Sequence, residues 1–281
     1  MSDVVGVTGA LDALAQWPVD TVAAAVIGPA GVLATYGDTE HEFALASLTK
    51  PLAALALLVA VEEEAIGLAD AADTQLLPGA TLRHLLAHAS GVAPERPLRS
   101  FGPAQRRVYS NVGIELAAGL LEAASGIGFP RYLDEALLQP LRMTSTSLPG
   151  SPARGGVSTV TDFARVAHEL LAPTGLLSAA MLKELARVQY PGLRGVLPGY
   201  GGQDPNDWGL GFEIRASKSP HWTGARNSPG TYGHFGQSGT MLWIDPDARL
   251  ALVALADRDF GDWARTAWPA LSDAVLAEFS G

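Results

Sequence analysis

A serine and a lysine three residues apart, Ser47 and Lys50, stand at the head of an Ala/Leu-rich run from Pro51 to Ala65. Positions three apart share one face of a helix, so the lysine amine comes within reach of the serine hydroxyl. A serine hydroxyl is a weak nucleophile and needs a neighbouring base. An amine serves once burial and nearby positive charge have lowered its pKa. The N-terminus of the same helix offers partial positive charge and free N–H groups for an oxyanion. Lysine usage strengthens the signal, because the chain holds three lysines, Lys50, Lys183 and Lys218, against sixteen arginines. Where only a cation is needed the sequence writes arginine, which stays protonated, whereas lysine can give up its proton. The alternative is a helix-capping serine beside a lysine that snorkels to solvent, and two fixed positions do not choose between these readings.

Other groupings carry less chemistry. His84 and His88 are four apart, but a zinc protease of the His-Glu-x-x-His type needs glutamate at position 85, where leucine stands. No metal site is expected, and His88 is read as bonding backbone in the turn before Gly91. The segment from Gly236 to Thr240 is similar to a nucleophile elbow but ends in threonine, so Ser238 is not expected to attack. Trp243 reads as core, and Trp208 and Trp222 as core or cleft. No glycine loop sits where it would cradle a phosphate, so no cofactor is expected. The chain has no cysteine, which excludes disulfides, thiolate zinc sites, iron–sulfur clusters and a cysteine nucleophile.

The elements that must position the pair fall into a pattern. In 281 residues, 48% hydrophobic and 17% charged, there is enough apolar material for one large domain or two intimate lobes. A net charge of −10 is the wrong sign for a nucleic-acid partner, and no polybasic run suggests anionic membrane. No Lys or Arg precedes Lys50, as a secretory signal would need, and the strongest apolar run, Pro51 to Val61, is too short to span a bilayer. A cytoplasmic protein is the expectation. Leu11 to Trp17 reads as a short helix; Val19 to Ile27 and Val32 to Tyr36 read as strands around a Gly28–Gly31 turn. Helical patterns follow at Pro51 to Ala65, Leu82 to Ala87, Ile114 to Ala124, Phe129 to Leu138, Thr161 to Leu171 and Ala179 to Val188. Tyr190 to Gly233 is rich in Gly, Pro, Trp and Asn, with Trp208 to Ile214 alternating like a strand; it reads equally as a lid or a fixed wall. Strands at Met241 to Ile244 and Leu250 to Leu255 precede a helical tail, Asp262 to Phe279, which Pro269 kinks or begins. Strands at both ends with helices between argue for an α+β fold. One antiparallel sheet, from residues 1–49 and 190–281, would face a helical lobe from residues 50–189, with the site between them.

Two later fragments extend the first pair. Tyr109-Ser110-Asn111 sits just before a helical pattern, and His234-Phe235-Gly236 just before the strand at Met241. Ser-x-x-Lys, Tyr-x-Asn and His-x-Gly in this order resemble the serine β-lactamase family in its broad sense: class C β-lactamases, D,D-peptidases, D-aminopeptidases and related esterases. A sister form carries Ser-x-x-Lys, Ser-Asp-Asn and Lys-Thr-Gly. The segments Leu85–Gly91, Gln139–Thr144 (with Arg142 in place of the family's glycine), Val157–Ala164 and Trp208–Phe212 are also similar to family segments. The likeness covers roughly residues 20–260 and implies the β-lactamase/transpeptidase-like fold.

The resemblance implies roles. Ser47 would be the acylated nucleophile. Lys50 and Tyr109 would share the proton work, in an order the sequence leaves open. Asn111 would hold Lys50 and donate to a substrate amide or carbonyl. The backbone N–H groups of Ser47 and Gln237 would form the oxyanion hole. Gly236 would let its strand approach the substrate, and His234 would bind a carboxylate weakly or polarise Tyr109. The expected activity is cofactor-free cleavage of small ester or amide bonds, esterase-like above all. The alternatives are a true β-lactamase, a D-amino-acid peptidase or D,D-carboxypeptidase, and a sensor or scaffold that acylates without turnover or not at all.

Overall fold

Apolar runs from the two ends of the chain pair with each other in the computed structural model, which describes residues 9–280. Residues 1–8 and 281, counted above within the sheet lobe, lie outside the described residues. The chain opens with a 3-10 helix, Ala10–Gln16, and a hairpin of β1 (Val22–Gly28) and β2 (Gly31–Tyr36). The short β3 (Phe43–Ala44) pairs with β4 (Val157–Ser158). A separate hairpin, β5 (Gly195–Leu197) with β6 (Gly201–Gln203), precedes β7 (Glu213–Ile214), β8 (Tyr232–Gly236), β9 (Thr240–Asp245) and β10 (Leu250–Ala256). Six antiparallel strands form the main sheet in the order β2-β1-β10-β9-β8-β7. Val22 lies opposite Ala256 and Ile27 opposite Ala251, so both chain ends share one layer, as the α+β reading requires.

The central strands are continuous apolar runs because both faces of the sheet are covered. Side chains alternate between faces. Ala23, Ala25, Ile27, Val253 and Leu255 enter the larger core, with the helices of the middle of the chain. Ala24, Val26, Trp243, Leu252 and Ala254 enter a second core. The middle of the chain supplies α1 (Thr49–Glu62), α2 (Leu82–Leu86), α3 (Asn111–Ser125), α4 (Phe129–Leu133), α5 (Val160–Leu171) and α6 (Ala179–Ala186), and the tail is α7 (Asp262–Phe279). Helix α7 and the 3-10 helix cover the second core through Leu14, Trp268, Leu271 and Val275. Helix α5, although from the helical middle of the chain, packs on β1, β9 and β10. Helix α1 is buried from Thr49 to Ala60, so it shows no polar stripe. Among the described residues no single helix is long and apolar enough to cross a membrane.

Three local expectations change. The run Trp208 to Ile214 is not one strand, because only Glu213 and Ile214 join the sheet. The backbone turns at Gly211 (φ +80°), whose N–H donates to the Leu86 carbonyl at 2.9 Å. Phe129 to Leu138 divides into α4 and a π-helical stretch, Asp134–Leu138. Pro269 lies inside α7 and does not begin it. Strand β8 and the β5–β6 hairpin lie within or overlap a stretch whose Gly and Pro content hides them.

A Cβ on Gly211 would overlap the Ala54 methyl of α1, and its positive φ disfavours L-residues. Gly211→Ala is therefore expected to lower stability by about 1–3 kcal/mol in urea denaturation. An unchanged midpoint would contradict this packing.

Candidate active site

Ser47 sits in a 3-10 turn, Ala46–Leu48, that feeds into α1. Ala46 has a left-handed φ of 44°, a conformation that costs an L-residue about 1–2 kcal/mol. Thr49 holds that turn, donating to the Ala46 carbonyl at 2.7 Å and accepting from the Gly156 N–H at 2.9 Å. The same loop, anchored by the Leu45 N–H on the Gly156 carbonyl, brings the Ala153 carbonyl over Lys50.

Lys50 is completely buried. Its Nζ lies 3.0 Å from Ser47 Oγ, 2.6 Å from Asn111 Oδ1 and 2.8 Å from the Ala153 carbonyl. Carbonyl oxygens only accept, so Asn111 and Ala153 each take an N–H. A neutral amine has two hydrogens and one lone pair, which leaves the lone pair for the Ser47 hydroxyl. Burial lowers the Lys50 pKa; Glu95 and Glu115 raise it and Arg154 lowers it, with an outcome of about 7. The amine is thus neutral in a large fraction of molecules near neutral pH.

Tyr109 and Asn111 flank Ser110, whose extended backbone sends its two neighbours to the same side. Ser110 caps α3, its hydroxyl accepting from the Gly113 N–H at 3.0 Å and donating to the Ala93 carbonyl at 2.7 Å. The Tyr-x-Asn spacing therefore follows from a helix start. The Lys50 nitrogen lies 4.7 Å from the centre of the Tyr109 ring. Burial pushes the Tyr109 hydroxyl well above the ordinary tyrosine range, partly opposed by its hydrogen bond with Ser47, so the free protein holds a phenol and not a phenolate. Asn111 Nδ2 donates to Glu95 Oε1 at 2.6 Å, and Arg154 reaches Glu95 Oε2 at 3.1 Å. The amide expected to meet substrate is thereby engaged by Glu95, which the sequence reading did not select.

Ser47, Tyr109, Asn111, His234 and Gln237 line one cleft of about 410 Å3, with Glu95, Arg154, Leu197, Pro198 and Trp208. Gly236 does not line it. A Cβ at Gly236 would overlap the Leu45 carbonyl, so this glycine lets β8 close on the Ser47 segment and not on substrate. Thr240 donates to the Leu45 carbonyl at 2.9 Å and Ser238 to the Ala44 carbonyl at 2.6 Å. These bonds tie the β8–β9 turn to the segment just before Ser47, and they engage the Ser238 hydroxyl.

His234 is buried, and its Nδ1–H donates to the Phe235 carbonyl at 2.7 Å, leaving Nε2 as a bare acceptor. Burial, with Lys50 nearby, lowers its pKa to about 3. A neutral imidazole with its Nδ1–H engaged carries no charge to a substrate carboxylate. His88 bonds the Tyr109 segment and not the turn before Gly91: the Ser110 N–H donates to its Nδ1 at 3.2 Å. Its ring stands 4.7 Å from that of Tyr109. His84 turns to Thr81 and stacks on Tyr190. Trp208 lines the cleft, whereas Trp243 and Trp222 are core and bond Ser272 and Glu213. Tyr190 to Gly233 supplies a wall of the cleft, backed by buried Glu213, which takes Lys218, His221 and Trp222.

A family model described as Beta-lactamase matches residues 18–276. The chain belongs to the beta-lactamase family. A crystal structure described as a beta-lactamase from Mycobacterium bovis is 57% identical, covers 97% of this chain and 100% of that one, and superimposes with a TM-score of 0.94. A hydrolase with promiscuous acyltransferase activity shares the fold, with a TM-score of 0.80, 17% identity and coverage of 95% and 96%. A penicillin-binding protein of Bacillus subtilis is 29% identical over 138 residues, which are 38% of this chain and 31% of that protein. The chain thus matches about a third of that curated relative's length.

An amine can accept a proton only after it has lost its own. The rate at which a fluorophosphonate labels Ser47 is expected to rise with pH through about 7 and then level. Lys50→Arg, which keeps the charge but cannot release it, is expected to slow labelling by about a hundredfold or more and to remove that limb. A rate independent of pH between 5 and 9 would contradict the assignment.

Proposed function

We propose that this chain is a serine hydrolase that cleaves small ester or amide bonds through an acyl-enzyme on Ser47, with esters preferred. The observation that carries the reading is the buried Lys50 amine, 3.0 Å from Ser47 Oγ with its other two donors held by carbonyls. Neutral Lys50 takes the Ser47 proton as Oγ bonds to the substrate carbonyl carbon. The carbonyl π electrons move to oxygen, which the N–H groups of Ser47 and Gln237 receive. As the tetrahedral species collapses, Tyr109 gives its proton to the departing oxygen and is restored by the proton on Lys50. Water then attacks the acyl-enzyme by the same steps in reverse. Tyr109 suits the donor role because its hydroxyl keeps its proton, and Lys50 suits the base role because burial lowers its amine to about 7.

The preference for esters rests on charge. His234 is neutral, Arg154 is paired with Glu95, and Lys50 is buried. The cleft therefore holds no unengaged cation for the carboxylate of a β-lactam or a peptide C-terminus. The 57% identity with a chain described as a beta-lactamase favours a second reading, in which a β-lactam is the substrate. Rates on p-nitrophenyl acetate, a chromogenic cephalosporin and a D-alanyl-D-alanine peptide separate these. Fastest turnover of the ester is expected, with Ser47→Ala reducing it by at least about a thousandfold. Efficient cephalosporin turnover with poor ester turnover would replace the first reading by the second. A persistent adduct on Ser47 without turnover would indicate a sensor.

A further inference from the structure

We propose that an apolar groove beside Tyr109 binds the alcohol portion of the ester substrate, and that this portion is an apolar chain; the assignment rests on the ester-hydrolase reading above. The groove encloses about 550 Å3 and is lined by Pro94, Phe101, Val108, Tyr109, Val196 and Pro198, together with two arginines. Phe101 and Val196 are 38% and 53% exposed, and large apolar side chains grouped in one open groove mark a binding surface.

One arginine is engaged by backbone carbonyls and the other stacks on an aromatic ring of the groove. Arg107 spends its guanidinium on the carbonyls of Ala87, Gln189, Tyr190 and Asn206. Arg106 lies over the Phe101 ring, 5.5 Å from its centre. The groove is also built rather than incidental. The Arg107 N–H donates to the Arg194 carbonyl at 3.0 Å, and a Cβ at Gly195 would meet the Arg107 carbonyl. These contacts pin β5 beside the segment that carries Tyr109. Successive β5 residues point to opposite faces, so Leu197 lines the catalytic cleft while Val196 lines the groove.

Tyr109 and Pro198 line both spaces, so the groove adjoins the cleft at Tyr109. Tyr109 is the group that protonates the departing oxygen. The substrate atoms beyond it are accordingly those attached to that oxygen, the alcohol chain and not the acyl chain.

Two ester series test this. One varies the alcohol at constant acyl group (ethyl, butyl, hexyl and octyl acetate); the other varies the acyl group of p-nitrophenyl esters. Acylation alone sets kcat/KM when the acyl-enzyme is shared. A fully buried methylene is worth about fourfold, and about twofold is expected in an open groove. The acetates should therefore gain about twofold per methylene, while the p-nitrophenyl series stays flat. Val196→Asp should lower the octyl-to-ethyl ratio by about tenfold or more, and Val196→Leu should keep it. Val196 is exposed, so both variants are expected to fold. A gain confined to the acyl series, or flat values in both, would overturn the groove assignment while leaving ester hydrolysis intact. Absence of turnover of any ester would overturn both proposals.

Discussion

The Lys50 amine is held out of water, and its two carbonyl partners decide which of its valences remains for Ser47. Asn111 and Ala153 each take a hydrogen, which a protonated and a neutral amine can both supply. What changes on deprotonation is the side facing Ser47, where a third N–H gives way to a lone pair. The same three heavy-atom contacts can serve either protonation state, which is the preorganisation that the proposed base role calls for. The same burial acts on folding. An unfolded lysine holds its proton up to about 10.5 and the folded one to about 7. The folded state then binds fewer protons across that window, so this group's cost to folding is full below about 7 and fades as pH rises towards 10.5.

The rest of the fold keeps that amine in place. Helix α1 is apolar on every side, so it must lie in the centre, and its first turn then places Lys50 where the cores end and the cleft begins. Strand β8 approaches the nucleophile turn only because position 236 has no side chain. The loop through Gly156 is fixed by Thr49, the residue between Ser47 and Lys50 in the chain after Leu48, so one short segment organises both the Ser47 turn and a carbonyl acceptor for the Lys50 amine.

Much of this was legible in the residues. Ser47 and Lys50 are suggested by spacing, because helix geometry turns a three-residue interval into a shared face, whereas Tyr109 and Asn111 are picked out by the resemblance of the ordered motifs to the family. The terminal strands were legible as continuous apolar runs. Less visible was whatever depends on partners distant in the chain. The Ala153 carbonyl has no side-chain signature, and Glu95 reads as one loop acid among many until Asn111 and Arg154 meet it. His88, read as bonding backbone in the turn before Gly91, instead supports the Tyr109 segment. The neutrality of His234 comes from burial and a bond to the next carbonyl, neither of which a sequence displays. Scarcity of lysine does not by itself mark a base, since Lys218 is also buried and serves as a structural partner of Glu213.

With three lysines in the chain, the ionisation of Lys50 can be observed directly. Lysine labelled at Cε with carbon-13, followed by NMR against pH, gives three resonances, and Lys50→Arg identifies one by its loss. That resonance should titrate near pH 7. Titration at the ordinary lysine value of 10.5 would show that the amine is a solvated cation, and the proposed base would be lost.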